Sequence, residues 1–147
     1  MSTLVAERWI FPLDDQTALN FERDDQQWKF VSDTLGPFGY LFSDPSTASI
    51  RKFRLKAIYY DEDCGGASHL EVRFNVPGTP TFKLPTVGSG RGAKACWYSD
   101  WFMFGDGSSQ QIVKAHGSCE ARFVSTAVYN NHAAIYQLIL EAHDLPI

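Results

Sequence analysis

Cysteine is scarce in this chain, and the three that occur, Cys64, Cys96 and Cys119, show no C-x-x-C spacing. An odd count without that spacing excludes a disulfide framework and a zinc ribbon. Free thiols are expected, with Cys96–Cys119 as the pairing left open because both lie in predicted strands. Long apolar runs are missing too. No window reaches the roughly 18 consecutive apolar residues that a membrane helix requires, and the first residues lack a signal-peptide pattern. The expectation is a soluble chain, extracellular or virion-associated rather than membrane-spanning. Runs of like charge are absent, and with a net charge of −4 and no basic arm neutralisation of duplex phosphates is disfavoured. Neither G-x-S-x-G nor H-E-x-x-H occurs, so hydrolase and metalloprotease readings have no support and the chain is read as a non-enzyme.

What is present points to strands. The 147 residues suit a single domain, residues 1–147, large enough to bury a core without staples. Aromatic residues make up 14% of the chain, and such enrichment favours β structure. Turn signals recur about every ten residues from end to end, as in sandwiches and barrels rather than βαβ units. The expected fold is all-β, an antiparallel sandwich of jelly-roll type, with a closed barrel as the runner-up.

The clearest alternation runs over residues 51–60, with Phe53, Leu55, Ala57 and Tyr59 on one face and Lys52, Arg54 and Lys56 on the other. Residues 68–76 repeat it, with Leu70, Val72 and Phe74 inward and His69, Glu71 and Arg73 outward, and the two segments are predicted to pair as a hairpin. Residues 4–11 read as a strand with Val5, Trp9 and Phe11 on one face, residues 17–21 and 40–42 as short strands, residues 81–84 as an edge strand, and residues 111–115 and 119–129 as two more. Two segments fit either period. Residues 27–32 suit strand and helix equally. Residues 132–145 place Ala134, Tyr136, Leu138, Leu140 and Ala142 together as a strand, or Ile135, Leu138, Ile139 and Ala142 as a helix; the neighbouring strands favour strand.

Residues 95–104, Ala-Cys-Trp-Tyr-Ser-Asp-Trp-Phe-Met-Phe, hold the densest aromatic surface. Extended, this window presents Trp97, Ser99, Trp101 and Met103 on one side and Tyr98, Asp100, Phe102 and Phe104 on the other. A carboxylate is rarely buried without a partner, so the Asp100 face, flanked by Tyr98 and Phe102, is predicted to be the wet one. The preceding loop contains Gly88-Ser89-Gly90-Arg91-Gly92-Ala93, a G-x-G-x-x-A match that lacks the following helix on which phosphates sit. It reads as a loop in which Arg91 offers a bidentate donor to an anionic or hydroxyl-rich ligand.

His116, Cys119 and Glu120, with Glu141 and His143 farther on, match no metal-ligand spacing, and no metal site is assigned. The acidic loops around Asp14-Asp15, Asp24-Asp25, Asp61-Glu62-Asp63 and Asp106 are the candidates for a structural calcium, but none has EF-hand spacing and turn aspartates ordinarily bond their own backbone. No cofactor is therefore expected.

Sugars present apolar faces to aromatic rings and hydroxyls to Asp and Arg. The first functional expectation is a non-catalytic carbohydrate-binding module or lectin-like domain using Tyr98, Asp100, Phe102 and Arg91 to hold a glycan. The alternative is a structural subunit of a viral or phage particle, a homo-oligomer in which the same aromatic stretch meets other copies of the chain.

Overall fold

The computed structural model describes residues 3–12, 17–22, 27–32, 49–61, 68–74, 80–86, 94–102, 118–125 and 132–146. These residues form nine strands: β1 (Thr3–Phe11), β2 (Leu19–Glu22), β3 (Lys29–Ser32), β4 (Ser49–Asp61), β5 (Ser68–Phe74), β6 (Thr81–Lys83), β7 (Ala95–Tyr98), β8 (Cys119–Ser125) and β9 (His132–Pro146). Among the described residues there is no helix long and apolar enough to cross a membrane. The strands expected at residues 40–42 and 111–115, the loop with Arg91, His116 and the acidic residues Asp14, Asp15, Asp24, Asp25, Glu62, Asp63 and Asp106 lie outside the described residues, whereas Asp61 is described and is fully buried at the end of β4.

Two antiparallel sheets pack face to face and do not close into a barrel. The first has the order β1-β9-β4-β7, with β2 continuing the β1 edge along β9; the second has the order β3-β8-β5-β6. Their inner faces meet in one core, in which Phe53, Leu55, Ala57 and Tyr59 oppose Leu70, Val72, Phe74, Ala121 and Phe123. Burying each large apolar side chain of this kind contributes roughly 1.5–3 kcal/mol.

The predicted hairpin of residues 51–60 with 68–76 is not formed. β4 pairs with β9 and β7, and β5 pairs with β8 and β6. Alternation had marked the inward faces correctly, but an inward face looks the same on either layer of a sandwich. Leu55 and Leu70 are both fully buried because they belong to opposite layers, not to adjacent strands.

Residues 132–145 are strand, and their double periodicity has a physical source. Ile58 pairs with Gln137 and Tyr59 with Ile135, so Tyr136 is an extra residue that shifts the phase of β9. The core side chains are accordingly Ala133 and Ile135 before the bulge, and Leu138, Leu140 and Ala142 after it. The step from 135 to 138 had imitated a helical turn. A second bulge, at Ile10 between the pairs Trp9↔Ile139 and Phe11↔Leu138, buries both Ile10 and Phe11 and leaves Trp9 exposed, so Trp9 and Phe11 do not share a face.

Cys96 lies exposed on the edge strand β7 and Cys119 is buried in β8, and both are free. Burial, aided by the Glu120 charge, pushes the Cys119 thiol well up, so it is inert as a nucleophile. Tyr59 is likewise raised by burial, and then by the Asp61 charge, to about 12; its hydroxyl donates to the Pro85 carbonyl.

Candidate functional site

The aromatic stretch forms the open edge of the first sheet, where β7 runs beside β4 from Tyr59↔Ala95 to Lys56↔Tyr98. At Ser99 the regular ladder changes. The Ser99 amide donates to the Leu55 carbonyl (2.8 Å), but the Leu55 amide donates to Ser99 Oγ (2.8 Å), a hydroxyl standing in for a backbone carbonyl. Ser99 Oγ in turn donates to the Asp100 carbonyl (2.9 Å). Pairing resumes at Phe102, which exchanges backbone hydrogen bonds of 2.8 and 2.9 Å with Phe53. Asp100 and Trp101 together therefore face the span of Arg54 alone, and the extra residue breaks the alternation of the stretch.

This break decides where each candidate side chain goes. Tyr98 lies on the outer face of the first sheet, beneath the Arg54 guanidinium at 4.3 Å. Phe102 turns inward, 9% exposed, with its ring 5.0 Å from Phe82 and 6.2 Å from Phe53. Asp100 is exposed between them. The structure thus separates Tyr98 from Phe102 and keeps Asp100 with Phe102. Met103 and Phe104 lie outside the described residues.

Asp100 and Phe102 open onto a hollow of about 230 Å³ between the edges of the two sheets. Lys83 of β6, Trp97 of β7, and Trp101 complete its aromatic and charged wall. Phe82 forms the floor, meeting Trp97 edge-on at 6.4 Å and Phe74 edge-on at 6.1 Å, so rings from both layers hold the hollow's shape. The volume lies below the roughly 300–1,000 Å³ of drug-sized pockets and matches a single small ring or side chain. Four aromatic rings, one carboxylate and one ammonium around such a space provide apolar contact together with an acceptor and a donor.

Trp101 has a second set of contacts. Its ring meets His143 edge-on at 4.7 Å and lies 5.1 Å from the Arg54 guanidinium. Arg54 Nε donates to Glu141 Oε1 (2.8 Å), and His143 Nε2 reaches the same oxygen at 2.7 Å. Burial alone would raise the Glu141 carboxyl. Hydrogen bonds from His143 and Arg54, with their charges, outweigh that and hold it below the ordinary carboxylate value. His143 Nδ1 is buried without a hydrogen-bond partner among the described residues. This cluster braces Trp101 from behind.

Cys119, Glu120, Glu141 and His143 are dispersed. Cys119 points into the core, Glu120 is bonded to Arg73 on the outside of the second sheet (3.1 Å), and Glu141 and His143 lie on the outside of the first. Among the described residues no group of three metal-ligating side chains gathers.

Sequence reasoning did not name Trp97, Trp101 and Lys83, which line this hollow, as candidates. The available signal was Ser99, a small polar residue between aromatics on an edge strand, where a hydroxyl can replace a ladder carbonyl and start a bulge. Comparison with family models, with curated proteins and with solved structures finds no match to this chain.

Proposed function

We propose that the protein is a non-catalytic carbohydrate-binding domain whose site is the hollow bounded by Trp97, Asp100, Trp101 and Lys83. The observation that carries this reading is the hollow itself: two indole rings beside an exposed carboxylate, in a space of single-ring size. Indole faces take the apolar side of a pyranose, and Asp100 and Lys83 bond its hydroxyls. Arg91, which the sequence suggested as a further donor, stays a candidate in this reading.

The connectivity supports a jelly-roll description of the sandwich. Its antiparallel pairs nest from the ends inward, β1 with β9, β3 with β8, β4 with β7 and β5 with β6, as in one long hairpin rolled up. Jelly rolls carry lectins and capsid subunits alike, so the fold does not choose between them. One observation favours the second reading, a structural subunit: Phe30, on the edge strand β3, is 64% exposed and would be covered by another copy in an assembly.

A broad glycan screen on the parent and on Asp100→Ala tests the first reading. Asp100→Ala should keep the parent's thermal midpoint and lose charge-assisted hydrogen bonds worth roughly 1.5–3 kcal/mol, tens-fold or more in affinity. If no glycan binds while light scattering shows an oligomer that Phe30→Ala dissociates, the structural reading replaces it.

A further inference from the structure

We infer that the ligand of the hollow is an acidic glycan, a polysaccharide bearing carboxylate or sulfate groups, which leaves the hollow over Trp101 and lies along the outer face of β4. This inference rests on the sugar-binding reading of the same site and names its substrate class.

Trp101 joins the two surfaces, lining the hollow while its ring packs on Arg54 and His143 outside the first sheet. Beyond it, β4 presents Lys52, Arg54 and Lys56 outward, since Phe53 and Leu55 point into the core. Alternate strand residues are about 6.8 Å apart, so these cations form a regular row. The sign of this row is opposite to the net charge of the chain, −4.

Carboxylates on this face neutralise only Arg54, the middle of the row, and leave the two lysines. Glu141 is taken up by Arg54 and His143, and Glu7, opposite Glu141 on β1, stands a strand farther away. Lys52 and Lys56 have no ion-pair partner among the described residues. Lys56 and its neighbour on the same face, Lys94, are also held in place. Lys56 Nζ sits 5.9 Å from the Tyr98 ring, and Lys94 Nζ sits 4.2 Å over Tyr136, which stacks on Tyr60. Cation–π contacts of this kind limit the motion of an ammonium without neutralising it.

Fixed cations beside a sugar-sized hollow suit a polyanion made of sugars. A single-stranded nucleic acid would instead need open ring faces on which successive bases stack, and on this sheet Tyr98 and Tyr136 already hold cations.

The test measures binding of polygalacturonate (carboxylated), heparin (sulfated), dextran (neutral) and an oligothymidylate to the parent and to a Lys52→Ala/Lys56→Ala double variant. Both lysines are partly solvent-exposed, and an unchanged melting temperature verifies that the variant folds. Polygalacturonate, heparin or both should bind at least tenfold more tightly than dextran. That binding should weaken as salt rises from about 50 to about 500 mM, and the double variant should lose roughly tenfold. Tighter binding of the oligothymidylate than of either acidic polysaccharide overturns the inference. Equal binding of dextran, or an unaffected double variant, overturns it while leaving the sugar-binding reading standing. If no polysaccharide binds at all, the sugar-binding reading fails with it.

Discussion

The pair β5–β8 and the pair formed by β4 with residues 95–102 are built from similar residues and behave differently. β5–β8 runs in unbroken register from Ser68↔Ser125 to Phe74↔Cys119, buried and solvent-facing residues alternating along β5. Its outer face is closed by opposite charges set directly across from one another: Arg122 donates to Glu71 at 2.7 Å and Arg73 to Glu120 at 3.1 Å. The Trp28 ring packs against both guanidinium groups. In the other pair the ladder breaks at Ser99, two residues face one, and a tryptophan and a carboxylate emerge at the surface. Regular pairing uses up the polar groups of a sheet, whereas an interrupted edge releases some for other contacts.

The largest effect should come from the regular pair. Phe123, fully buried in β8, should cost about 3–5 kcal/mol on replacement by Ala, and Leu55→Ala, in the partner layer, about 2–5 kcal/mol. Urea unfolding measures both; a variant with the parent's midpoint would place that residue outside the core. Ser99→Ala should come next. It leaves the buried Leu55 amide without its acceptor, a loss of roughly 1–3 kcal/mol, and should also disorder Asp100 and Trp101. If Ser99→Ala matched the parent in urea, the hydroxyl would not be what holds the interrupted ladder.

Acid should expose what the two outer faces share. Burial tends to raise the Glu71 carboxyl, but hydrogen bonds from Arg122 and His69, with their charges, bring it below the ordinary value, as their counterparts do for Glu141. A carboxylate whose folded pKa is depressed contributes stability above its unfolded pKa, about 4.3. That contribution is lost as pH falls through the lower folded value. Unfolding free energy should therefore decline below about pH 4.3, and Glu71→Gln and Glu141→Gln should each flatten that decline. An unchanged acid limb in both variants would contradict the assignment. The smallest effect belongs to Arg73→Ala, whose side chain is 39% exposed. Solvent screening limits its pair with Glu120 to about 0.2–1 kcal/mol.

The two regions also differ in how far the amino-acid pattern revealed them. The inward residues of β4 and β5 were legible because strict alternation has one physical cause, a half-buried strand. Which strand lies beside which was not: Leu55 and Leu70 carry the same signature in different layers. Bulges account for the remainder. Ile10, Tyr136 and the Asp100–Trp101 pair each shift the phase by a residue, and a phase shift is invisible until partners are known. Of the aromatic stretch, the exposure of Asp100 was legible. The alternation drawn through it grouped Tyr98 with Phe102 and assigned the tryptophans to the other side.

The chain's four tryptophans allow the location of the site to be read in a single spectrum. Trp97 and Trp101 line the hollow, while Trp28 lies over the far sheet between Arg73 and Arg122. In a proton–nitrogen correlation spectrum of the labelled protein, titration with a glycan identified by the screen should move the indole signals of Trp97 and Trp101 and leave that of Trp28 in place. Movement of Trp28 with Trp97 and Trp101 unchanged would put the ligand on the other sheet and contradict the site described for residues 95–102.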